Sequence, residues 1–165
     1  GHGLYSIAFC QKNPGLEATV FDLPPVIDAT RSFISRYRAS RVSTLPGDFF
    51  HDPIGSGYDI IFSSSNPGGK VPSLIPKIAD ALNPGGLYIN KQAIDEDSPD
   101  PWISLEWNLW AFSGVQKQAK RYVFADSVPL PEYNLLLADH GLVVRDMIPI
   151  DFQSAMTVAQ KAGPC

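Results

Sequence analysis

The sequence predicts an α/β fold: a mostly parallel sheet flanked by helices and finished by an antiparallel strand pair. Three observations carry this. Short apolar runs with β-branched residues, such as Ala18–Phe21 and Tyr58–Ser63, alternate with stretches of helical apolar spacing. The segments end in turn chemistry, at Asn13-Pro14-Gly15, Pro46-Gly47 and Asn83-Pro84-Gly85-Gly86. The last two strand-like runs, Leu142–Ile150 and Ala155–Ala159, follow each other with no room for a helix, so they pair antiparallel.

Each element has its own signature. Leu4–Lys12 reads as a helix with Leu4, Ile7, Ala8 and Cys10 on its inner side. Ala18–Phe21 is a buried strand. Pro24 and Pro25 then occupy the first turn of a helix, where a missing N–H costs little. That helix carries Val26, Ile27, Ala29, Phe33 and Ile34 roughly on one face and ends near Tyr37. Val42–Leu45 and Tyr58–Ser63 are further strands. Val71–Leu82 has helical spacing in Leu74, Ile75, Ile78 and Leu82, with Pro76 requiring a late start or a kink. Leu87–Asn90 is a strand, and Asp95–Pro101 a polar acidic loop. Trp102–Phe112 reads as an aromatic-rich helix, and Glu132–His140 as a helix capped by Gly141.

The bulk numbers bound the answer. The chain has 165 residues, 44% of them hydrophobic, enough for one domain with a sizeable core. Charged residues make up 18% and the net charge is -4, with no basic stripe, so nucleic acid is not an expected partner. No apolar run is long enough to span a bilayer, and no secretion leader is visible. Cys10 and Cys165 sit at opposite ends, which argues against a disulfide framework and for a cytoplasmic location.

The chemistry-bearing residues concentrate in the first half, in Gly1-His2-Gly3, Phe21-Asp22-Leu23-Pro24 and Gly47-Asp48-Phe49-Phe50. A turn, an acid at a strand end and a second acid at a strand end is the order in which a twisted α/β sheet assembles a nucleoside pocket. The glycines allow a close backbone approach, or form a plain turn. Asp22 can accept both hydroxyls of a ribose, or cap the helix that follows. Asp48 beside Phe49 is either a ligand-facing acid with an aromatic neighbour or a turn aspartate beside core phenylalanines. His2 reads as spacing within the turn, His51 as a surface residue and His140 as a cation at a helix C-terminus. None has metal-ligand spacing, so no metal is expected. Lys91 and Asp95 stand at the carboxyl end of the Leu87–Asn90 strand, as candidate general bases or as solvated loop residues. Trp102, Trp107 and Trp110 lie close in sequence, the last two on one helix face. They pack the core or contact a further domain, or line an apolar pocket to which Ser104, Glu106 and Asn108 add polar contacts.

From Gly1 to about Lys161, and most densely to Ile61, this arrangement resembles the S-adenosylmethionine-dependent O-methyltransferases of the plant-caffeate and bacterial-antibiotic type. The resemblance implies a Rossmann-like class I methyltransferase sheet, S-adenosylmethionine as cofactor and a small-molecule acceptor. It implies a cofactor set of Gly1, His2, Gly3, Asp22, Leu23, Asp48, Phe49, Ser63 and Ser64, with Asp48 on the adenine amino group and Phe49 against the ring. Trp102, Trp107 and Trp110 would line the acceptor pocket. One departure matters. Where the family carries a histidine general base, this chain reads Ser63-Ser64-Ser65-Asn66-Pro67-Gly68-Gly69-Lys70, with Gly68 nearest its place. The base is then Lys91 or Asp95, or the acceptor needs none, or turnover is lost. The resemblance further implies a central strand before Gly1 and an upstream helical domain that forms a homodimer, so the 165 residues are expected to be part of a larger protein. Methyl transfer to nitrogen, sulfur or carbon, and a non-catalytic cofactor-binding protein, are the rival readings; a nicotinamide dehydrogenase is disfavoured.

Overall fold

The computed structural model describes residues 1–94, 124, 126–151 and 154–163. These form two compact units, Gly1–Gly55 and Ser56–Cys165.

The first unit runs α1 (Leu4–Lys12), β1 (Ala18–Asp22), α2 (Pro24–Tyr37), β2 (Val42–Pro46). β1 and β2 pair in parallel from Ala18↔Val42 to Asp22↔Pro46. Ile7, Cys10, Val20, Ile27 and Val42 form its core. Fully burying one such aliphatic side chain contributes about 1.5–3 kcal/mol. The inner side of α1 is narrower than its sequence suggests: Ile7 and Cys10 are buried, but Leu4 and Ala8 are exposed. Arg41 closes the open end of this helix. Its guanidinium donates to Asn13 O at 2.8 Å, to Leu16 O at 2.5 Å and also to Cys10 O. Cys10 lies in the last turn of α1, where carbonyls lack helical partners, Asn13 is the C-cap, and a guanidinium fork suits several acceptors at once.

The second unit runs β3 (Tyr58–Ser64), 3₁₀ turns at Pro67–Lys70 and Pro72–Leu74, α3 (Ile75–Ala81), β4 (Leu82–Ala93), α4 (Leu130–Leu136), a 3₁₀ turn at Ala138–His140, β5 (Leu142–Pro149) and β6 (Ser154–Lys161). Its sheet has the order β3-β4-β6-β5. β3 and β4 are parallel, whereas β6 is antiparallel to both β4 and β5, the closing pair expected from the sequence. Ile75, Leu82, Tyr88, Tyr133, Leu137 and Leu142 make the core. Among the described residues, β1 pairs along one edge only, with β2, and β3 along one edge only, with β4.

Three boundaries differ from expectation. The helix expected over Val71–Leu82 is one 3₁₀ turn, Pro72–Leu74, followed by α3 over Ile75–Ala81, because Pro72 and Pro76 each restart a turn. β4 begins at Leu82, and Asn83–Gly86 is carried as an irregularity. The register moves from Tyr58↔Leu82 to Ile60↔Leu87 across it. The helix expected to reach His140 ends at Leu136, and a 3₁₀ turn finishes the segment before Gly141. The loop expected at Asp95–Pro101 and the helix expected at Trp102–Phe112 lie outside the described residues. Among the described residues, no helix is long and apolar enough to cross a membrane.

Candidate functional site

The first unit brings the Gly1–Gly3 turn and the carboxyl ends of β1 and β2 into one hydrogen-bonded group. Gly3 has φ +75° and lies so close to α2 that a Cβ there would meet Thr30 Cγ2 at 2.8 Å. Thr30 is fully buried, and its hydroxyl lies 3.2 Å from Gly1 O and 3.1 Å from Val26 O. Gly3 thus has room only for backbone, whereas a Cβ on Gly1 would meet nothing within 4 Å. His2 is exposed, and its ring meets the edge of Phe33 at 5.8 Å.

Asp22 stands at the end of β1. Its Oδ1 accepts from Leu23 N at 2.8 Å, and its Oδ2 accepts from the backbone nitrogen of Gly1. Leu23 is the N-cap of α2, so the Asp22 carboxylate holds the N–H of the residue that opens the helix. The Asp22 carbonyl accepts from Gly47 N at 2.9 Å, which ties the β1 end to the turn after β2. In that turn Asp48 Oδ1 accepts from Phe50 N at 2.8 Å, and Asp48 N donates to Asp52 Oδ2 at 2.8 Å. The turn role read for Asp48 is therefore present, and its other carboxylate oxygen remains for a further contact. The Phe49 and Phe50 rings lie 4.7 Å apart, both half-buried, and His51 is exposed beside them.

Ser63, Ser64 and Lys91 belong to the second unit. Ser64 pairs with Lys91 in register, and Ser65, at the left-handed φ of +50°, donates its N–H to Lys91 O at 2.9 Å. A non-glycine residue at positive φ is uncommon and concentrates at functional strand ends. The hydroxyl of Tyr88, whose ionised form the neighbouring Ser63 favours, lies 3.4 Å from that of Tyr133. Burial, then the neighbouring Tyr133, pushes Tyr88 well above the usual phenol range, and burial pushes Tyr133 up to about 12. Both phenols are neutral at physiological pH. Lys91 is half-buried.

Gly68, nearest the expected base, is buried together with Gly69 and Lys70. Absent from the expected site is what packs on this turn: the buried amides of Asn90 and Gln92, two polar residues at alternate positions on the buried side of β4. That alternation was the available signal. Asp95, Trp102, Trp107 and Trp110 lie outside the described residues. Among the described residues, no cluster of three or more His, Cys, Asp or Glu side chains could hold a metal ion.

Comparison with known proteins agrees with the resemblance. Residues 1–112 match the model of the O-methyltransferase domain. An uncharacterised protein of Methanocaldococcus jannaschii is 45% identical over 151 residues, covering 90% of this chain and 41% of that protein. The 3-hydroxy-5-methyl-1-naphthoate 3-O-methyltransferase of Streptomyces sahachiroi is 31% identical over 107 residues, covering 61% of this chain and 31% of that enzyme. An O-methyltransferase family protein of Burkholderia thailandensis superposes with a TM-score of 0.77 at 20% identity, over 100% of this chain and 49% of that one. The chain thus spans less than half the length of the curated relatives it matches. Its fold is the Rossmann-like class I methyltransferase fold, and the chain belongs to the O-methyltransferase domain family, whose methyl donor is S-adenosylmethionine.

Proposed function

We propose that the protein transfers a methyl group to a hydroxyl of a small aromatic or polyketide-like metabolite. The observation that carries this reading is the group formed by the Gly1–Gly3 turn, Asp22 and Asp48 at the carboxyl ends of β1 and β2. The turn's backbone, exposed at Gly1 and His2, suits close passage of the cofactor's amino-acid part. Asp22 at the end of β1 suits paired ribose hydroxyls, and Asp48 beside Phe49 suits an adenine.

When bound, S-adenosylmethionine supplies a methyl group already activated on a sulfonium sulfur. What remains for the protein is alignment, which is worth about 7–11 kcal/mol of barrier in well-oriented systems, and removal of one proton. With glycine at the place of the family histidine, Lys91 and Asp95 are the candidates for that proton. An acidic acceptor, a phenol or enol, lowers the demand on either. Trp102, Trp107 and Trp110 complete the reading as the apolar wall for the acceptor.

The test is calorimetric titration of S-adenosylhomocysteine into the protein and its Asp22→Ala variant, followed by product analysis with a panel of phenols. Binding that weakens about tenfold or more in the variant supports the site, since a hydrogen bond to a charged group is worth about 1.5–3 kcal/mol. A folded parent that binds nothing would sink it. Binding without turnover of any phenol would leave a cofactor-binding protein in place of the enzyme.

A further inference from the structure

Asn90 and Gln92 project to the same side of β4 as Tyr88, and they are 0% and 5% exposed. Burying two amides in a strand is costly unless their hydrogen bonds are satisfied. Asn90 Nδ2 donates to Gly69 O at 2.7 Å, and Gln92 Nε2 donates to Asn90 Oδ1 at 3.0 Å. The contact is close: a Cβ on Gly69 would lie 1.9 Å from Gln92 Nε2. The same turn is held from two further directions. Lys70 O accepts from Val128 N at 3.0 Å, and Gly68 N donates to Asn66 Oδ1 at 2.8 Å. Pro67–Lys70 follows the carboxyl end of β3, the edge where α/β sheets bind their ligands. An apolar pair at 90 and 92 could fill the same space, but only donors can fix a carbonyl of that turn.

We propose that Asn90 and Gln92 are positioning residues for the methyl acceptor: as a relay from Gln92 through Asn90 to Gly69, they hold the Pro67–Lys70 turn in the placement that shapes the acceptor side. The proposal rests on the methyltransferase reading above. Asp22 and Asp48 are fixed by separate bonds within the first unit, so the relay does not hold those two cofactor residues, and S-adenosylhomocysteine affinity separates an acceptor role from an effect passed through Ser63 and Ser64.

The test is Gln92→Glu, nearly isosteric. Its carboxylate cannot donate to Asn90 Oδ1. Rotating the Asn90 amide offers no escape, because an oxygen would then face Gly69 O, which only accepts. Protonation of the introduced carboxyl restores the donor. Three readings are taken across pH: KM for a phenol the parent methylates (catechol as first probe), S-adenosylhomocysteine affinity, and amide hydrogen exchange of residues 66–71. The expected result is a KM raised about tenfold at high pH that recovers as pH falls, exchange that follows the same pH course, and cofactor affinity within about twofold of the parent. Asn90→Leu should give the high-pH behaviour at every pH. Unchanged exchange in both variants, or cofactor affinity falling in step with KM, overturns the proposal. A parent that methylates no phenol fails the proposed function instead, and exchange with cofactor affinity still decides the relay.

Discussion

The hydroxyl oxygens of Tyr88 and Tyr133 face each other at 3.4 Å in the buried core of the second unit. Burial holds both phenols neutral, Tyr88 well above its ordinary range and Tyr133 up to about 12. In the unfolded chain each ionises near 10, so the folded state binds more protons above that pH. Stability from the pair is therefore complete below about pH 10 and is lost as pH rises from there toward 12. Urea unfolding should be level from about pH 8 to 10 and decline above that, with Tyr133 contributing of order 1 kcal/mol per pH unit. Tyr133→Phe should make that decline shallower and cost only about 0.5–1.5 kcal/mol near neutrality.

Gly69→Ala tests the close approach to β4. The new methyl would fall 1.9 Å from Gln92 Nε2 and 2.6 Å from Gln92 Cδ, so the amide must leave its bond to Asn90. The expected loss is about 1–3 kcal/mol in denaturant unfolding, the cost of a buried polar group without its partner. In a Gln92→Ala background the same substitution should cost much less, because the obstructing group is gone. Equal costs in the two backgrounds would show that the crowding is relieved elsewhere.

Much of this was legible in the sequence, for identifiable reasons. Pro24-Pro25, the Ala18–Phe21 run and the closing strand pair each obey a local rule, so α2, β1 and the β5–β6 ladder fall where the pattern puts them. The Val71–Leu82 segment misled because helical spacing survives in 3₁₀ turns interrupted by prolines. The placement of Asp22 and Asp48 at strand ends could be read because an acid after a short apolar run is a local feature. The relay could not, because the bond from Asn90 to Gly69 joins residues far apart in the chain. Nor does local pattern reveal that the Ser63 side chain meets a buried tyrosine.

Arg41 is a structural cation whose loss should be felt in α1. Three carbonyls, of Cys10, Asn13 and Leu16, share its guanidinium. Arg41→Ala leaves them without that donor at the helix end and should lower stability by about 1–3 kcal/mol, with amide exchange rising first in the last turn of α1. Arg41→Lys should recover only part, since an ammonium lacks the planar fork. A guanidinium that bonded only water in solution would show no difference among the three proteins.

Gly3→Ala separates two constraints that meet at one residue. The backbone there is left-handed at φ +75°, which costs a residue with a Cβ about 1–2 kcal/mol. The new methyl also meets Thr30 Cγ2 at 2.8 Å and Val20 Cγ2 at 3.1 Å. Thr30→Ser removes the first of these methyls while keeping the hydroxyl that bonds Gly1 O. The Gly3→Ala/Thr30→Ser pair should therefore regain part of the stability lost by Gly3→Ala alone, and the backbone share should remain. S-adenosylhomocysteine affinity should stay low in both, because the proposed contact is made by the backbone of a turn that the added Cβ displaces. Full recovery of affinity in the double variant would mean that packing against α2, and not the glycine backbone, sets the cofactor end of the site.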